Sequence, residues 1–159
     1  MYPHTHFLFA YLISLIFVRL GYFSHSQAVF IAILAVLIDL DHYISYVMTK
    51  KNFSLRKAYN GCAKGHKKYG KTRFHFMTGI VLVSIVVALL YVYNLKIYSG
   101  IIAIAYYSHI LLDHIHLNYI IHLDKRFKYN IFGFHTMMSY PEVVFDYINI
   151  IAILLLLFL

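Results

Sequence analysis

Histidine and aspartate recur at matching places in otherwise apolar stretches of this chain. His6 opens the first apolar run. Asp39, Asp41 and His42 stand late in the second, within AVLIDLDHYISY; His75 opens the third; His109 and Asp113 stand late in the fourth, within YYSHILLDHIHL. An Asp at the centre of a membrane helix costs roughly 2.5–3.5 kcal/mol on insertion scales. Such groups are tolerated when they face one another, water or a bound cation, and carboxylates mixed with imidazoles point to the cation. Imidazole nitrogen with carboxylate oxygen suits Zn²⁺, Mn²⁺ or Fe. The single cysteine, Cys62, leaves no thiolate cluster and no internal disulfide.

Spacing sorts these residues. His109 and Asp113 are four apart, so they share a helix face and can chelate one ion. His116 continues that face, whereas His114 points about 100° away from Asp113. Asp39 and His42, three apart, also share a face. Asp41 lies about 200° from Asp39 in an ideal helix, so either the helix opens there or Asp41 serves a second ion or an outer layer. The candidate ligands are therefore His6, Asp39, Asp41, His75, His109 and Asp113, enough for one ion or for two adjacent ones. A two-metal site activates water and clamps both oxygens of a displacement at phosphorus. Asp41 or His42 is then the candidate general base, although His42 is equally open to a ligand or interfacial role. Arg73, two residues before His75, is a candidate phosphate contact, because guanidinium takes phosphate oxygens in pairs.

Helices must carry these groups. At 159 residues, 62% hydrophobic, 13% charged and mean hydropathy +0.70, the composition is that of one integral membrane domain. Runs near twenty apolar residues predict an all-α bundle of five transmembrane helices, at roughly 7–23, 27–48, 74–95, 97–123 and 143–159. The first run lacks the basic leader and small-residue cleavage site of a signal peptide. Asp146, in the fifth run, is expected to meet Lys128 or a polar group of the fourth helix. His25, His66, His114, His116, His122 and His135 read as interfacial or solvated, and the many Tyr and Phe as belts and lipid-facing packing.

The net charge of +8 is concentrated. The segment 49–73 holds Lys50, Lys51, Arg56, Lys57, Lys64, Lys67, Lys68, Lys71 and Arg73 without an acid, and 124–142 adds Lys125, Arg126 and Lys128. The positive-inside rule places both loops and the N-terminus in the cytoplasm, and the C-terminus outside. In that orientation every candidate ligand falls in one layer near the inner face: Asp39 about 14 Å and Asp113 about 15 Å from the predicted ends of their helices. The basic loop also suits anionic lipid; nucleic acid is not an expected partner.

Four motifs in order carry a resemblance: Thr5-His6, Asp39-Leu40-Asp41-His42, Phe74-His75-Phe76, and Ser108-His109-Ile110-Leu111-Leu112-Asp113. Over roughly residues 4–114 the chain resembles the membrane-bound metal-dependent hydrolases, the LexA-binding, inner-membrane-associated (YdjM-like) family. That family is itself distantly similar to zinc-dependent phospholipase C. The chain departs from the pattern at Ile38, where the family has Pro, and at Gly70, where it has a second His that His66 could replace. The resemblance implies phosphoester cleavage in a prokaryotic cytoplasmic membrane, with a phospholipid headgroup as substrate. Two other readings stand beside it. One is a metal-ion or proton transporter, for which the outer half offers little beyond Ser14, Arg19, Ser84 and Ser99. The other is a non-catalytic scaffold acting through the basic loop.

Overall fold

Each apolar run becomes helical, and local residues set its ends. In the computed structural model, which describes residues 2–63, 75, 77–115, 126–131 and 134–158, α1 spans Pro3–Arg19 and starts with Pro in its first turn, where the missing N–H has no partner to lose. After a turn through Gly21 (φ 79°), α2 (His25–Leu37) opens on a capping box in which Ser24 and Gln27 satisfy each other's backbone N–H. α3 (Leu40–Lys50) continues α2 beyond a tightened turn and stops where Lys51 becomes left-handed. α4 is Leu55–Ala63, α5 Met77–Val92, α6 Lys96–His114 and α7 Tyr140–Phe158. Between α6 and α7, β1 (Arg126–Ile131) pairs antiparallel with β2 (Phe134–Ser139), Arg126 opposite Ser139 and Ile131 opposite Phe134.

The chain is thus mostly helical, with two differences from the expected bundle. The basic loop contains α4, and the segment 124–142 contains a hairpin. Hydropathy hid both, because charges in RKAYN and in RFKYNI mask a helical period in one case and β-forming Phe, Tyr and Ile in the other. The fourth helix is also shorter than the expected 97–123. It stops at His114, and Ile115 is extended. From there the alternation His-Ile-His-Leu-Asn fits an extended chain as well as a helix.

Small residues let three helices meet closely. Ala10 of α1, Ala28, Ala32 and Ala35 of α2, and Ala105 of α6 are buried, with Ile31 and Ile101 filling between them. α5 packs on α6, and α7 on α1. Directions alternate from one long helix to the next, counting α2 with α3 as one, so α1 and α7 run parallel, and they touch at both ends. At the far end, the Arg19 guanidinium donates to the Leu156 carbonyl through Nε (2.8 Å) and a terminal nitrogen. At the near end, the Thr5 hydroxyl lies 3.1 Å from Glu142 Oε1 and 3.2 Å from Asp146 Oδ2. The Tyr2 N–H donates to Glu142 Oε1 (2.7 Å), and His4 Nε2 lies 3.1 Å from Asp146 Oδ2. Asp146 therefore meets the first helix; of its two expected partners, the Lys128 side chain lies outside the described residues.

The exterior is apolar and the interior partly polar. Phe30 and Ile33 on α2, Leu82, Ile85 and Leu89 on α5, and Ile151 and Leu155 on α7 are exposed, whereas His6, Ser14 and His109 are buried. Among the described residues, two helices are long and apolar enough to cross a membrane: residues His25–Lys50, taken through the turn, and Tyr140–Phe158, with mean hydropathies of 1.9 and 2.0.

The buried Thr5 hydroxyl is the hinge of the α1–α7 contact. Thr5→Val is expected to lower unfolding stability by about 1–3 kcal/mol, since it leaves buried carboxylate oxygens short of a donor. Thr5→Ser keeps the donor and is expected to stay close to wild type. Melting of the purified protein in detergent measures both; equal melting of Val and wild type would show that the contact contributes nothing.

Candidate metal centre

The second helix opens where its aspartates begin. A regular helix would bond the Asp39 N–H to the Ala35 carbonyl. Instead that N–H reaches Val36 O (3.1 Å), and the His42 N–H reaches Asp39 O (3.1 Å), both three residues back. Two consequences follow. Winding nearer 120° per residue brings Asp39 and Asp41 closer in angle than an ideal α-helix would. The Ala35 carbonyl is also released from the helix ladder, and His109 Nδ1 lies 2.8 Å from it across the α2–α6 interface.

His109 is fully buried and His75 nearly so. Ala35 O accepts, so His109 must donate from Nδ1. His75 Nδ1 lies 3.0 Å from Asp41 Oδ2, and an ionised carboxylate likewise requires the proton on Nδ1. In their neutral forms both rings then present a lone pair at Nε2, and these two atoms lie only 3.0 Å apart. Facing lone pairs repel unless a proton or a cation lies against them. On a tetrahedral zinc with Zn–N near 2.05 Å, two imidazole nitrogens stand about 3.3 Å apart.

Carboxylates surround that pair. Asp39 Oδ1 lies 3.5 Å from His109 Nε2, 3.9 Å from His75 Nε2 and 3.7 Å from His42 Nε2. Asp113 divides its oxygens, with Oδ2 3.5 Å from His75 Nε2 and Oδ1 3.5 Å from His6 Nε2. The His6 ring stacks on His109 (centroids 4.0 Å apart), and neither His6 nitrogen has a hydrogen-bond partner although the residue is 1% exposed. Three overlapping groups result: His6, Asp39 and His109; Asp39, His42 and His75; and His75, His109 and Asp113. Within each group the candidate ligand atoms lie within 4.8 Å of one another. These buried histidines and aspartates can hold a metal ion. The His6 nitrogens without hydrogen-bond partners and the converging carboxylate oxygens form a donor set that lacks only a positive charge.

The structure brings together His6 from α1, Asp39 and His42 from the α2–α3 turn, His75 from just before α5, and His109 with Asp113 from α6. Asp41 stands behind His75, where it orients the ring, rather than among the ligand atoms of the three groups. Such a carboxylate–histidine pairing fixes the tautomer and raises the basicity of the ligating nitrogen. His42 sits between both aspartates, its Nδ1 3.8 Å from Asp41 Oδ1. Arg73, Gly70, His66, His116 and His122 lie outside the described residues. His25 is exposed at the opposite end of the bundle, and His114 turns its Nδ1 back to the Ile110 carbonyl (2.8 Å). Two participants are absent from the sequence-predicted set. The Ala35 carbonyl is invisible because any residue supplies one. Glu142 escaped notice too, although its spacing of four from Asp146 on an apolar helix was a usable sign.

Loading the purified protein with Zn²⁺ or Mn²⁺ and titrating by calorimetry tests the cluster. His109→Ala and Asp113→Ala are expected to lose stoichiometric binding. Asp41→Asn is expected to weaken it about 10–100-fold while leaving the stoichiometry unchanged, as for other partners that orient a ligand. Wild-type affinity in all three variants would remove the cluster from consideration.

Comparison with protein-family models, with curated proteins and with solved structures finds no match for this chain. The functional reading therefore rests on the cluster itself.

Proposed function

We propose that this chain is a membrane-embedded, metal-dependent hydrolase that cleaves a phosphoester, with a phospholipid headgroup as substrate, at the cytoplasmic face of a prokaryotic membrane. The observation that carries the reading is the 3.0 Å approach of His75 Nε2 and His109 Nε2, whose other nitrogens both face acceptors. The resemblance of the Thr-His, Asp-x-Asp-His and Ser-His-x-x-x-Asp strings to the LexA-binding, inner-membrane hydrolases agrees with it.

Topology supports the same picture. We read five crossings: α1, α2 with α3, α5, α6 and α7. The parallel contact of α1 with α7, and the meeting of His6, Asp39 and His109 at one end, agree with that alternation. The exposed cations Lys50, Lys51, Arg56 and Lys57 follow α3 on the side of the cluster, so that side is read as cytoplasmic.

A divalent cation in the cluster, Zn²⁺ or Mn²⁺ and one ion or two, supplies water activation near neutral pH and charge stabilisation at phosphorus. The protein's own groups do the rest. His6, Asp39, His75, His109 and Asp113 would hold the charge. Asp41 keeps the proton on His75 Nδ1. His42, half-buried between Asp39 and Asp41, is placed to take up a proton and pass it on.

A transport role finds less support. Among the described residues, Ser14 Oγ donates to Ala10 O (2.6 Å), Ser84 Oγ to Ile80 O (2.7 Å) and Ser99 Oγ to Val87 O (2.9 Å), while Arg19 is held by Leu156 O. These four groups are thus engaged by backbone and, among the described residues, mark no continuous hydrophilic path.

Purified protein in mixed micelles is expected to release phosphate or phosphorylated headgroup, to stop on chelation, and to recover on adding Zn²⁺ or Mn²⁺. His109→Ala and Asp113→Ala are expected to reduce release to background while melting normally. Release that persists in these variants or in chelator would overturn the hydrolase reading, and metal or proton flux in liposomes would replace it with transport.

A further inference from the structure

Asp39 and His42 of the cluster stand at the start of α3, and the other end of that helix is built differently from the rest of the surface. Residues His25–Lys50 run for 26 residues, about 39 Å at 1.5 Å per residue, against about 30 Å of hydrocarbon. With His25 at the far boundary, Asp41 falls about 24 Å along the helix, just inside the near boundary, and the last six or so residues project beyond it.

There the chain folds back on itself. Lys51 takes the left-handed conformation (φ 50°), and the Tyr43 hydroxyl donates to the Phe53 carbonyl (2.7 Å). The Ser54 N–H donates to Asn52 Oδ1 (3.0 Å), and α4 then packs Ala58 against Tyr46 and Tyr43. This elbow is held by α3 itself, which also fixes its distance from the cluster.

Its outward surface mixes two kinds of side chain. Met48 is 76% exposed, Phe53 79% and Leu55 59%, and Lys50, Lys51, Arg56 and Lys57 stand exposed among them. The run 43–63 contains no acidic residue. Water alone would disfavour such large apolar side chains, and hydrocarbon alone would reject the cations. A headgroup layer accepts both, and one of negative charge is favoured by the lysines and arginine.

We propose that the α3–α4 elbow is a docking surface for anionic phospholipids, gathering their headgroups beside the metal centre. This deepens the hydrolase reading, on which its substrate consequence rests, by naming net-negative lipids as the preferred substrates. Phe53, Leu55 and Met48 enter the acyl boundary, while Lys51 and Lys57 lie level with the phosphates. Lipids that also carry a compensating cation, such as phosphatidylcholine, gain less there.

The chain has no Trp, so Phe53→Trp places one fluorophore in the elbow. The full-length variant is reconstituted, in chelator, into phosphatidylcholine vesicles containing a small equal fraction of acyl-brominated phosphatidylglycerol or acyl-brominated phosphatidylcholine. Emission is expected to be quenched by both lipids, and about threefold more by the brominated phosphatidylglycerol. That excess is expected to disappear when Lys51→Gln and Lys57→Gln are added, and to shrink in high salt. Emission untouched by either lipid, or quenched equally by the two, overturns the proposal. The readout is separate from turnover. Excess quenching that survives in His109→Ala supports docking whatever the hydrolysis assay gives, and equal quenching in an active enzyme overturns docking alone.

Discussion

Two buried imidazoles whose Nε2 atoms meet only with a proton or a cation against them organise this protein. His109 and His75 both have Nδ1 against an acceptor, Ala35 O in one case and Asp41 in the other, so their Nε2 lone pairs face across 3.0 Å. In water such a pair would simply turn apart. Here His109 lies against α2, and His75 is held from behind by Asp41, so neither ring can relax without losing its partner. The arrangement is a preorganised demand for positive charge, and the carboxylates of Asp39 and Asp113 supply the counter-charge that lets a divalent cation meet it.

The demand depends on a local fault in a helix. Were α2 to continue unbroken into α3, the Asp39 N–H would share the Ala35 carbonyl with His109. Tightening the turn at Ile38–Asp39 moves that N–H to Val36, frees the carbonyl and rephases the two aspartates in one step. Asp39 then faces the ligand atoms while Asp41 backs His75. Backbone geometry and side-chain chemistry are coupled here.

The remaining helices act as a frame. α7 carries no candidate ligand, yet Glu142 and Asp146 hold Tyr2, His4 and Thr5, and so fix the first turn of α1 immediately beside His6. Alanines at the α1–α2–α6 meeting bring backbones close enough for side chains of separate helices to share one small volume. The elbow beyond α3 ties the cluster to a surface of mixed apolar and cationic character.

Much of this was legible in the order of residues. Apolar runs predict helices because a backbone surrounded by apolar side chains must satisfy itself, and the ionisable residues stand out because such surroundings tolerate them poorly. Hence His6, Asp39, His75, His109 and Asp113 could be named as neighbours from composition and spacing alone. The break in the second helix was legible as one of two alternatives, since Asp39 and Asp41 cannot face one ion from an ideal helix. The hairpin, α4 and the early end of α6 were not legible, because mixed charge and alternation give helix and strand nearly equal claims. What only the tertiary structure decided is the division of labour: Asp41 behind His75, Ala35 O behind His109, and Glu142 with Asp146 behind α1. These are contacts between residues far apart along the chain, and a backbone carbonyl or a hydroxyl acquires such a role solely from the group that packing sets opposite it.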